Sequence, residues 1–139
     1  MSLIIDASVT VAWAFPDERT TQSDELRLRV RREGVVVPHH WAVEVANALL
    51  IAERRGRVTP DHAAEFADWL QLVAVEVDTS IPAVAWISVL PLARTHRLTA
   101  YDAAYLELAQ RRGLPLATLD IDLARAATTA GVQLVIAEN

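Results

Sequence analysis

Short apolar runs alternate with longer segments of helical periodicity along this chain of 139 residues. The apolar runs predict strands, and the segments between them predict helices. Strands separated by helices are joined by crossover connections, which produce a parallel sheet covered by helices on both faces. We therefore expect an α/β fold with a mostly parallel central sheet of about five strands, in a single domain over residues 1–139. The predicted strands are residues 3–5, 35–37, 73–77, 115–119 and 132–136, and the predicted helices are residues 7–15, 20–33, 40–55, 60–71, 81–97, 101–112 and 121–130.

Proline and glycine mark several element boundaries. Thr59 followed by Pro60 is typical of a helix start, with threonine as the N-cap and proline in the first helical position. Gly56 and Gly113 are predicted to end helices. Pro91 lies inside a predicted helix, and we expect it to kink or split that helix.

The absence of two residue types excludes several functions. The chain has no cysteine, and all 13 basic residues are arginine. Disulfides, thiolate metal sites and a cysteine nucleophile are therefore excluded, as are a Walker A lysine and a lysine Schiff base. A receiver-like phospho-acceptor domain also gathers acids at strand ends around Mg²⁺, but it needs a lysine near the phosphoryl group.

Charge and hydropathy indicate what kinds of partner to expect. The net charge of −5 argues against broad non-specific binding of nucleic acid, which normally depends on a basic surface. The apolar fraction is 53% and the mean hydropathy is +0.22, so we expect some apolar surface to be buried against another chain. No apolar stretch reaches the length of about 18 residues that spans a bilayer, and no signal peptide is recognisable. These features predict a soluble, cytoplasmic protein without a membrane partner.

Two aspartates come directly after apolar runs. Asp6 follows residues 3–5, and Asp120 follows residues 116–119. In an open parallel sheet, ligands bind beyond the carboxyl ends of the strands, which is where both aspartates are expected. Each aspartate also has a simpler explanation, as the N-cap of the helix that follows it.

Two further acids interrupt the first turns of apolar helices. Glu44 has Asn47 three residues later, on the same helix face, but it could also be a buried glutamate bonded to the backbone or to arginine. Asp102 follows Thr99 with the spacing of a capping box. Acids in apolar sequence are costly unless they bind cations or donors. If these acids converge with the two strand-end aspartates, they favour a site for a hard divalent cation.

Several polar residues near these acids are possible accessory ligands. Ser8 lies two residues after Asp6, and Thr118 points to the same side of its strand as Asp120. Asp122 could contribute a ligand, cap a helix or remain solvated. Asn47 shares the helix face of the glutamate described above.

The histidines, arginines and tryptophans have ordinary explanations. His39, His40, His62 and His96 lack the i,i+4 pairing of zinc ligands, and we expect them on the surface or in loops. The arginine runs at 27–32 and 54–57 could contact phosphates, although a solvated helix face is the usual interpretation. The tryptophans are expected in the core or in an interface, and they are Trp13, Trp41, Trp69 and Trp86.

Taken in chain order, these elements resemble the PIN-domain ribonucleases, and specifically the VapC-like toxins of bacterial toxin–antitoxin pairs. No single motif would suffice, but the order and spacing of the motifs cover nearly the whole chain. The matching elements are Ile4-Ile5-Asp6-Ala7-Ser8, Glu44-x-x-Asn47-x-Leu49, Tyr101-Asp102-Ala103-Ala104-Tyr105 with Leu108-Ala109, and Leu116-Ala117-Thr118-Leu119-Asp120 followed by Leu123.

The resemblance implies a PIN-like fold in which Asp6, Glu44, Asp102 and Asp120 form both the catalytic and the metal-binding set. The implied function is a Mg²⁺-dependent endoribonuclease toxin, with Mn²⁺ as a substitute, that leaves 5′-phosphate and 3′-hydroxyl ends on RNA. The resemblance also implies a homodimer and a cognate VapB-like antitoxin whose tail covers the site. Asp122 departs from the most frequent family pattern.

Two other functions stay open. One is a catalytically silent PIN-like module that only binds other proteins, although four converging acids serve no purpose in such a surface. The other is a metal-dependent nuclease that acts on DNA or flap structures, although a single small domain without substrate-binding insertions makes this the weaker alternative. The residues do not identify the RNA-binding surface or the RNA that is cut.

Overall fold

The chain folds around a parallel sheet, seen here in a computed structural model that describes residues 1–135. Within these residues the sheet has four strands in the order β3-β2-β1-β4, where β1 is Leu3–Ile5, β2 is Val35–Pro38, β3 is Val75–Asp78 and β4 is Leu116–Ala117. The helices are α1 (Ala7–Ala12), α2 (Thr21–Glu33), α3 (Trp41–Arg54), α4 (Pro60–Leu70), α5 (Ile81–Val84), α6 (Leu90–His96), α7 (Ala100–Arg112) and α8 (Ile121–Thr129), with a 3₁₀ turn at Pro16–Glu18 and a π-helical turn at Ala85–Val89.

The strand order changes direction at one point in the sheet. The chain steps from β1 to β2 to β3 toward one edge and then crosses to the opposite edge to form β4. β1 therefore pairs with β2 on one side, with Leu3 opposite Val35, and with β4 on the other, with Ile4 opposite Leu116. In open α/β sheets, ligands bind at such a switch point, beyond the carboxyl ends of the strands. Here that point lies after β1 and β4.

The expected α/β fold with a mostly parallel sheet is confirmed, but the strand count of about five is wrong for the part of the chain described. The predicted strand 132–136 contributes only an isolated bridge between Leu134 and Leu116, and residue 136 lies outside the described residues. Its neighbour β4 is only two residues long, which leaves little backbone for a fifth strand to pair with.

Several predicted helix boundaries agree with the structure. Thr59 accepts a hydrogen bond from the backbone of His62, which makes it the N-cap of α4. The predicted helix 81–97 is split, with the π-helical turn separating α5 from α6. Pro91 lies in the first turn of α6, directly after the π-helical turn, and it cannot donate the backbone hydrogen bond that a continuous α-helix uses there. No helix among residues 1–135 is both long and apolar enough to cross a membrane.

Helix α7 lies against the centre of the sheet, packing on β1, β2 and β4. Its residues 103–109 are all buried, including Tyr105 and Leu106. The strands β1 and β2 are buried along their whole length, as expected for parallel strands covered on both faces. The first turn of α7 is therefore held in a fixed position relative to the carboxyl end of β1.

An arginine on α7 also binds the edge strand β3. Arg111 donates to both carboxylate oxygens of Asp78 at 3.0 Å each, and to Glu107 at 2.7 and 3.1 Å. Both acids are buried, and the hydrogen bonds from Arg111 hold the pKa of Asp78 below its usual range. Arg112 adds an exposed pair with Glu76 at 2.7 Å. The sequence does not predict this cluster, because the predicted strand ends at residue 77 and so leaves out Asp78.

Gly34 connects α2 to β2 where the backbone has no room for a side chain. Its φ of 78° and ψ of 175° lie in a region that only glycine adopts readily. A Cβ at this position would lie 2.9 Å from the carbonyl oxygen of Ala74, which accepts a hydrogen bond from Val35. The approach of the two backbones is therefore required by the pairing of β2 with β3.

We expect Gly34→Ala to lower the free energy of unfolding by about 2–4 kcal/mol, because it adds backbone strain to a steric clash. The matched control is Gly113→Ala, at φ 62° and ψ 35° with open space around the new Cβ. This control should cost about 1 kcal/mol. Urea unfolding of both variants measures the difference, and equal losses would contradict the clash at Gly34.

Candidate active site

Asp6 lies at the carboxyl end of β1, where it is only 3% exposed. Its Oδ1 accepts hydrogen bonds from the Ser8 hydroxyl at 2.7 Å and from the Val9 N–H at 3.0 Å, and its Oδ2 accepts one from the Thr118 hydroxyl. The bond from Val9 makes Asp6 the N-cap of α1, so the simpler explanation of this residue is also correct. Burial raises the pKa of Asp6, while these hydrogen bonds act in the opposite direction.

The segment after β4 reaches the same place. The Ser8 hydroxyl accepts a hydrogen bond from the Leu119 N–H at 3.0 Å, and the Thr118 hydroxyl accepts one from the Asp120 N–H at 3.0 Å. Asp120 Oδ1 in turn accepts from the Leu123 N–H at 2.8 Å, which caps α8. The structure thus brings together two predicted acids and two predicted accessory residues at the switch point of the sheet.

Glu44 lies in the first turn of α3 and is held by two side chains. The Tyr105 hydroxyl donates to Oε1 at 2.6 Å, and His40 Nε2 lies 3.2 Å from the same oxygen. Burial alone would raise the pKa of Glu44, but the hydrogen bonds from His40 and Tyr105 outweigh it and hold the pKa below its usual range. Among residues 1–135, Glu44 is therefore bonded neither to the backbone nor to arginine, the two partners considered from the sequence.

Asp102 lies in the first turn of α7, and its N–H donates to Thr99, the N-cap, at 3.1 Å. The pKa of Asp102 is raised to about 6. Burial is the largest cause, followed by the negative charges of Asp120, Asp6 and Glu44. Since charges act on one another strongly only at short range, the four predicted acids share one electrostatic site.

Two predicted accessory residues do not join this site. Asn47 is exposed on α3, and its side chain makes no hydrogen bond within residues 1–135. Asp122 is also exposed and pairs with Arg125 at 2.6 Å. The structure gives neither residue a contact with the acids, and a ligand role for them stays a prediction.

A divalent cation such as Mg²⁺ is the group that these acids would hold, and the donors fit it in kind. They are hard oxygen ligands with several negative charges, which magnesium and manganese prefer. In the observed side-chain positions, however, no three acids or histidines of the described residues come close enough to hold one ion together. Like charges that lack a cation between them repel each other, so the carboxylates have to turn toward one another when a cation binds.

The sequence analysis missed two residues that contact the acids. His40 lies four residues before Glu44, a spacing that puts both on one helix face. The sequence instead predicts His40 on the surface or in a loop, because no second histidine lies four residues away. Tyr105 lies three residues after Asp102, also on one helix face, and belongs to the same sequence motif, but the motif predicts no contact for its hydroxyl. The bond between Tyr105 and Glu44 spans 61 residues, so no local signal predicts it.

A further contact holds α1 and α3 together beneath the site. Trp41 Nε1 donates to the Thr10 hydroxyl at 3.1 Å, and that hydroxyl donates to the backbone carbonyl of Asp6 at 2.7 Å. Trp41 and Thr10 are both buried. The position of the helix that carries Glu44 is therefore tied directly to the backbone of Asp6.

The fold agrees with the comparison to known proteins. Residues 3–128 match the model of the PIN domain, and the chain belongs to the PIN-domain family. It is similar to Ribonuclease VapC3 of Pyrobaculum aerophilum, with 34% identity over 126 residues that cover 89% of this chain and 93% of the relative. Ribonuclease VapC3 of Mycobacterium tuberculosis is 33% identical over 129 residues, covering 89% and 86%.

A solved structure shows the same fold. The crystal structure of PAE2754 from Pyrobaculum aerophilum superposes with a TM-score of 0.67 at 26% identity, covering 91% of this chain and 84% of that one. The resemblance to the PIN-domain family and its VapC-like members is therefore confirmed. The extent of the domain over all of residues 1–139 and the roles of individual acids stay predictions.

The raised pKa of Asp102 predicts that its charge destabilises the metal-free protein. A carboxyl whose folded pKa lies above its unfolded pKa stabilises the fold while protonated, and this contribution is lost as the pH rises from about 4 through about 6. We expect Asp102→Asn to raise the free energy of unfolding at about pH 7.5 in EDTA by about 1–2 kcal/mol, after allowing for partial exposure.

Chemical denaturation across this pH range checks the prediction. The gain should disappear near pH 4 because both proteins then carry a neutral side chain at this position. Glu65→Gln, which removes an exposed acid on α4, is the matched control and should change stability by less than about 0.5 kcal/mol. A lower stability of Asp102→Asn at neutral pH would show that the Asp102 charge is favourable without a cation.

Proposed function

We propose that this protein is a metal-dependent endoribonuclease toxin that hydrolyses RNA phosphodiester bonds and is neutralised by a VapB-like antitoxin. The observation that supports this most directly is the shared electrostatic site, in which the charges of Asp120, Asp6 and Glu44 raise the pKa of Asp102. Four acids in one site destabilise each other unless a cation neutralises them. The relatives named Ribonuclease VapC3 support the choice of RNA as the substrate.

In this proposal Asp6, Glu44, Asp102 and Asp120 hold Mg²⁺, or Mn²⁺ in its place. When bound, the cation supplies a more acidic water and charge stabilisation at the phosphodiester group. Asp6 and Asp120 offer their carboxylates at the ends of β1 and β4, while Glu44 and Asp102 offer theirs from the first turns of α3 and α7. The N-termini of α3 and α7 carry partial positive charge, which favours the anionic phosphate beside the acids.

The accessory residues have a supporting role in this proposal. The Ser8 and Thr118 hydroxyls donate to Asp6, which fixes the direction of its carboxylate. These hydroxyls act on Asp6 and not on the substrate. Removing a donor that hydrogen-bonds to a metal ligand commonly changes metal affinity by about 10–100-fold.

The proposed activity predicts cleavage of RNA that depends on Mn²⁺ or Mg²⁺ and stops in EDTA. Asp6→Asn should reduce the rate by at least about 100-fold because it removes a charge at the centre of the acidic site. Asp122→Asn should retain the wild-type rate within about threefold, since Asp122 is exposed and paired with Arg125. The assay uses purified, antitoxin-free protein and end-labelled RNA, and the products should carry 5′-phosphate and 3′-hydroxyl ends.

Two controls separate this activity from its alternatives. Single-stranded RNA, structured RNA and single-stranded DNA are compared under one metal condition, and preference for DNA would contradict the choice of substrate. Glu65→Gln reports on the loss of an acid far from the site. If folded protein cleaves no nucleic acid and Asp6→Asn changes nothing, the chain is a silent interaction module.

We also propose that the protein forms a homodimer through an exposed apolar face. Trp86 is 76% exposed and Ile87 is 77% exposed, both in the π-helical turn, and Leu90 and Tyr101 extend this apolar face. The apolar face is larger than scattered single residues would produce, and burial against a second copy would remove it from water.

An RNA substrate and an antitoxin that itself acts inside the cell both support a cytoplasmic location.

The dimer proposal predicts a change in mass on substitution at this face. Wild-type protein at micromolar concentration should scatter light as a dimer, and Trp86→Glu should shift it to a monomer because a buried, unpaired charge destabilises an interface. Val43→Glu, which changes another exposed apolar side chain outside the π-helical turn, is the matched control and should stay dimeric. A wild-type monomer would overturn the proposed interface.

A further inference from the structure

Two side chains contact Glu44 at one and the same oxygen: Tyr105 donates a hydrogen bond to it, and His40, whose Nε2 hydrogen-bonds to the Tyr101 carbonyl, lies within ion-pair distance of it. The Tyr105 hydroxyl and His40 Nε2 lie 2.6 and 3.2 Å from Oε1. Within residues 1–135, no donor hydrogen-bonds to Oε2. The carboxylate is therefore fixed at one end and open at the other, which differs from Asp6, where both oxygens accept hydrogen bonds.

Tyr105 occupies a position that lets it hold Glu44 rigidly. It is 1% exposed and lies among the buried residues of α7, so its ring has little freedom to move. Its ring also packs against that of His40, with centroids 5.1 Å apart.

We propose that Tyr105 is a positioning residue that holds Glu44 Oε1, with His40 in contact with the same oxygen, and thereby directs Oε2 toward a divalent cation. This inference rests on the proposed function, since it concerns the acids of the same site. A free glutamate loses rotamer freedom when it binds a cation, and the fixed carboxylate has already lost most of it. The bond also joins α3 to α7 and so links the helices that carry Glu44 and Asp102.

The test is direct measurement of Mn²⁺ binding by calorimetry, without RNA, on wild-type protein and on Tyr105→Phe. Removing only the hydroxyl should weaken Mn²⁺ binding by about tenfold, as is typical when a hydrogen bond to a metal ligand is lost. RNA cleavage by the variant should be low at limiting Mn²⁺ and recover toward the wild-type rate when Mn²⁺ is saturating. Because a bound cation also stabilises the folded state, urea unfolding of both proteins in EDTA checks that the variant is folded without Mn²⁺.

Tyr101→Phe is the matched control on the same helix. Tyr101 is 64% exposed, and it contacts His40 through its backbone carbonyl and through its ring, both of which the substitution keeps. Its Mn²⁺ affinity should stay within about twofold of wild type. If Tyr105→Phe does not fold, His40→Ala removes the other side chain in contact with Oε1 and keeps the phenol hydroxyl, and it should also weaken Mn²⁺ binding.

A double variant shows whether Tyr105 acts through Glu44. In a Glu44→Gln background, adding Tyr105→Phe should cause no further loss of Mn²⁺ affinity, because the carboxylate that the hydroxyl positions is already gone. An equal loss in both backgrounds would overturn the inference, as would unchanged affinity in Tyr105→Phe when wild-type protein binds Mn²⁺. If wild-type protein binds no Mn²⁺ at all, the proposed function fails and this inference fails with it.

Discussion

The buried carboxylate of Asp6 is the constraint on which the site depends. It lies buried at the end of β1, one of the two inner strands of the sheet, and its negative charge is costly there without donors. Ser8 and Val9 supply donors from α1, and Thr118 supplies one from the segment after β4. The hydrogen bonds of the Asp6 carboxylate therefore require α1, β1 and β4 to pack together. The same packing brings Asp120 to the site.

Much of this arrangement could be predicted from residue order alone. The alternation of apolar runs and helical segments predicts the parallel sheet, and acids that directly follow two of those runs predict where its ligand edge lies. Their positions directly after apolar runs predict Asp6 and Asp120 at that edge, and the structure brings them together there. The reason is physical, because the carboxyl ends of adjacent parallel strands must share an edge.

The parts that could not be predicted are those that depend on contacts between distant segments. The end of β3 and the binding of Asp78 by Arg111 depend on which residues of α7 lie opposite the strand, a relation that spans 33 residues. The hold of Tyr105 on Glu44 likewise depends on how α3 and α7 pack against the sheet. Pattern reasoning identifies which face of a helix is apolar, but it does not identify the partner of a single buried hydroxyl.

The wide separation of the acids along the chain has a consequence for the newly made protein. The hydrogen bond from Thr118 to Asp6 joins residues 112 positions apart, so the first and last strands must dock before the acids share one site. Contacts of such large sequence separation form late, after the intervening helices have collapsed onto the sheet. A chain still emerging from the ribosome therefore lacks the assembled acids until its synthesis is nearly complete.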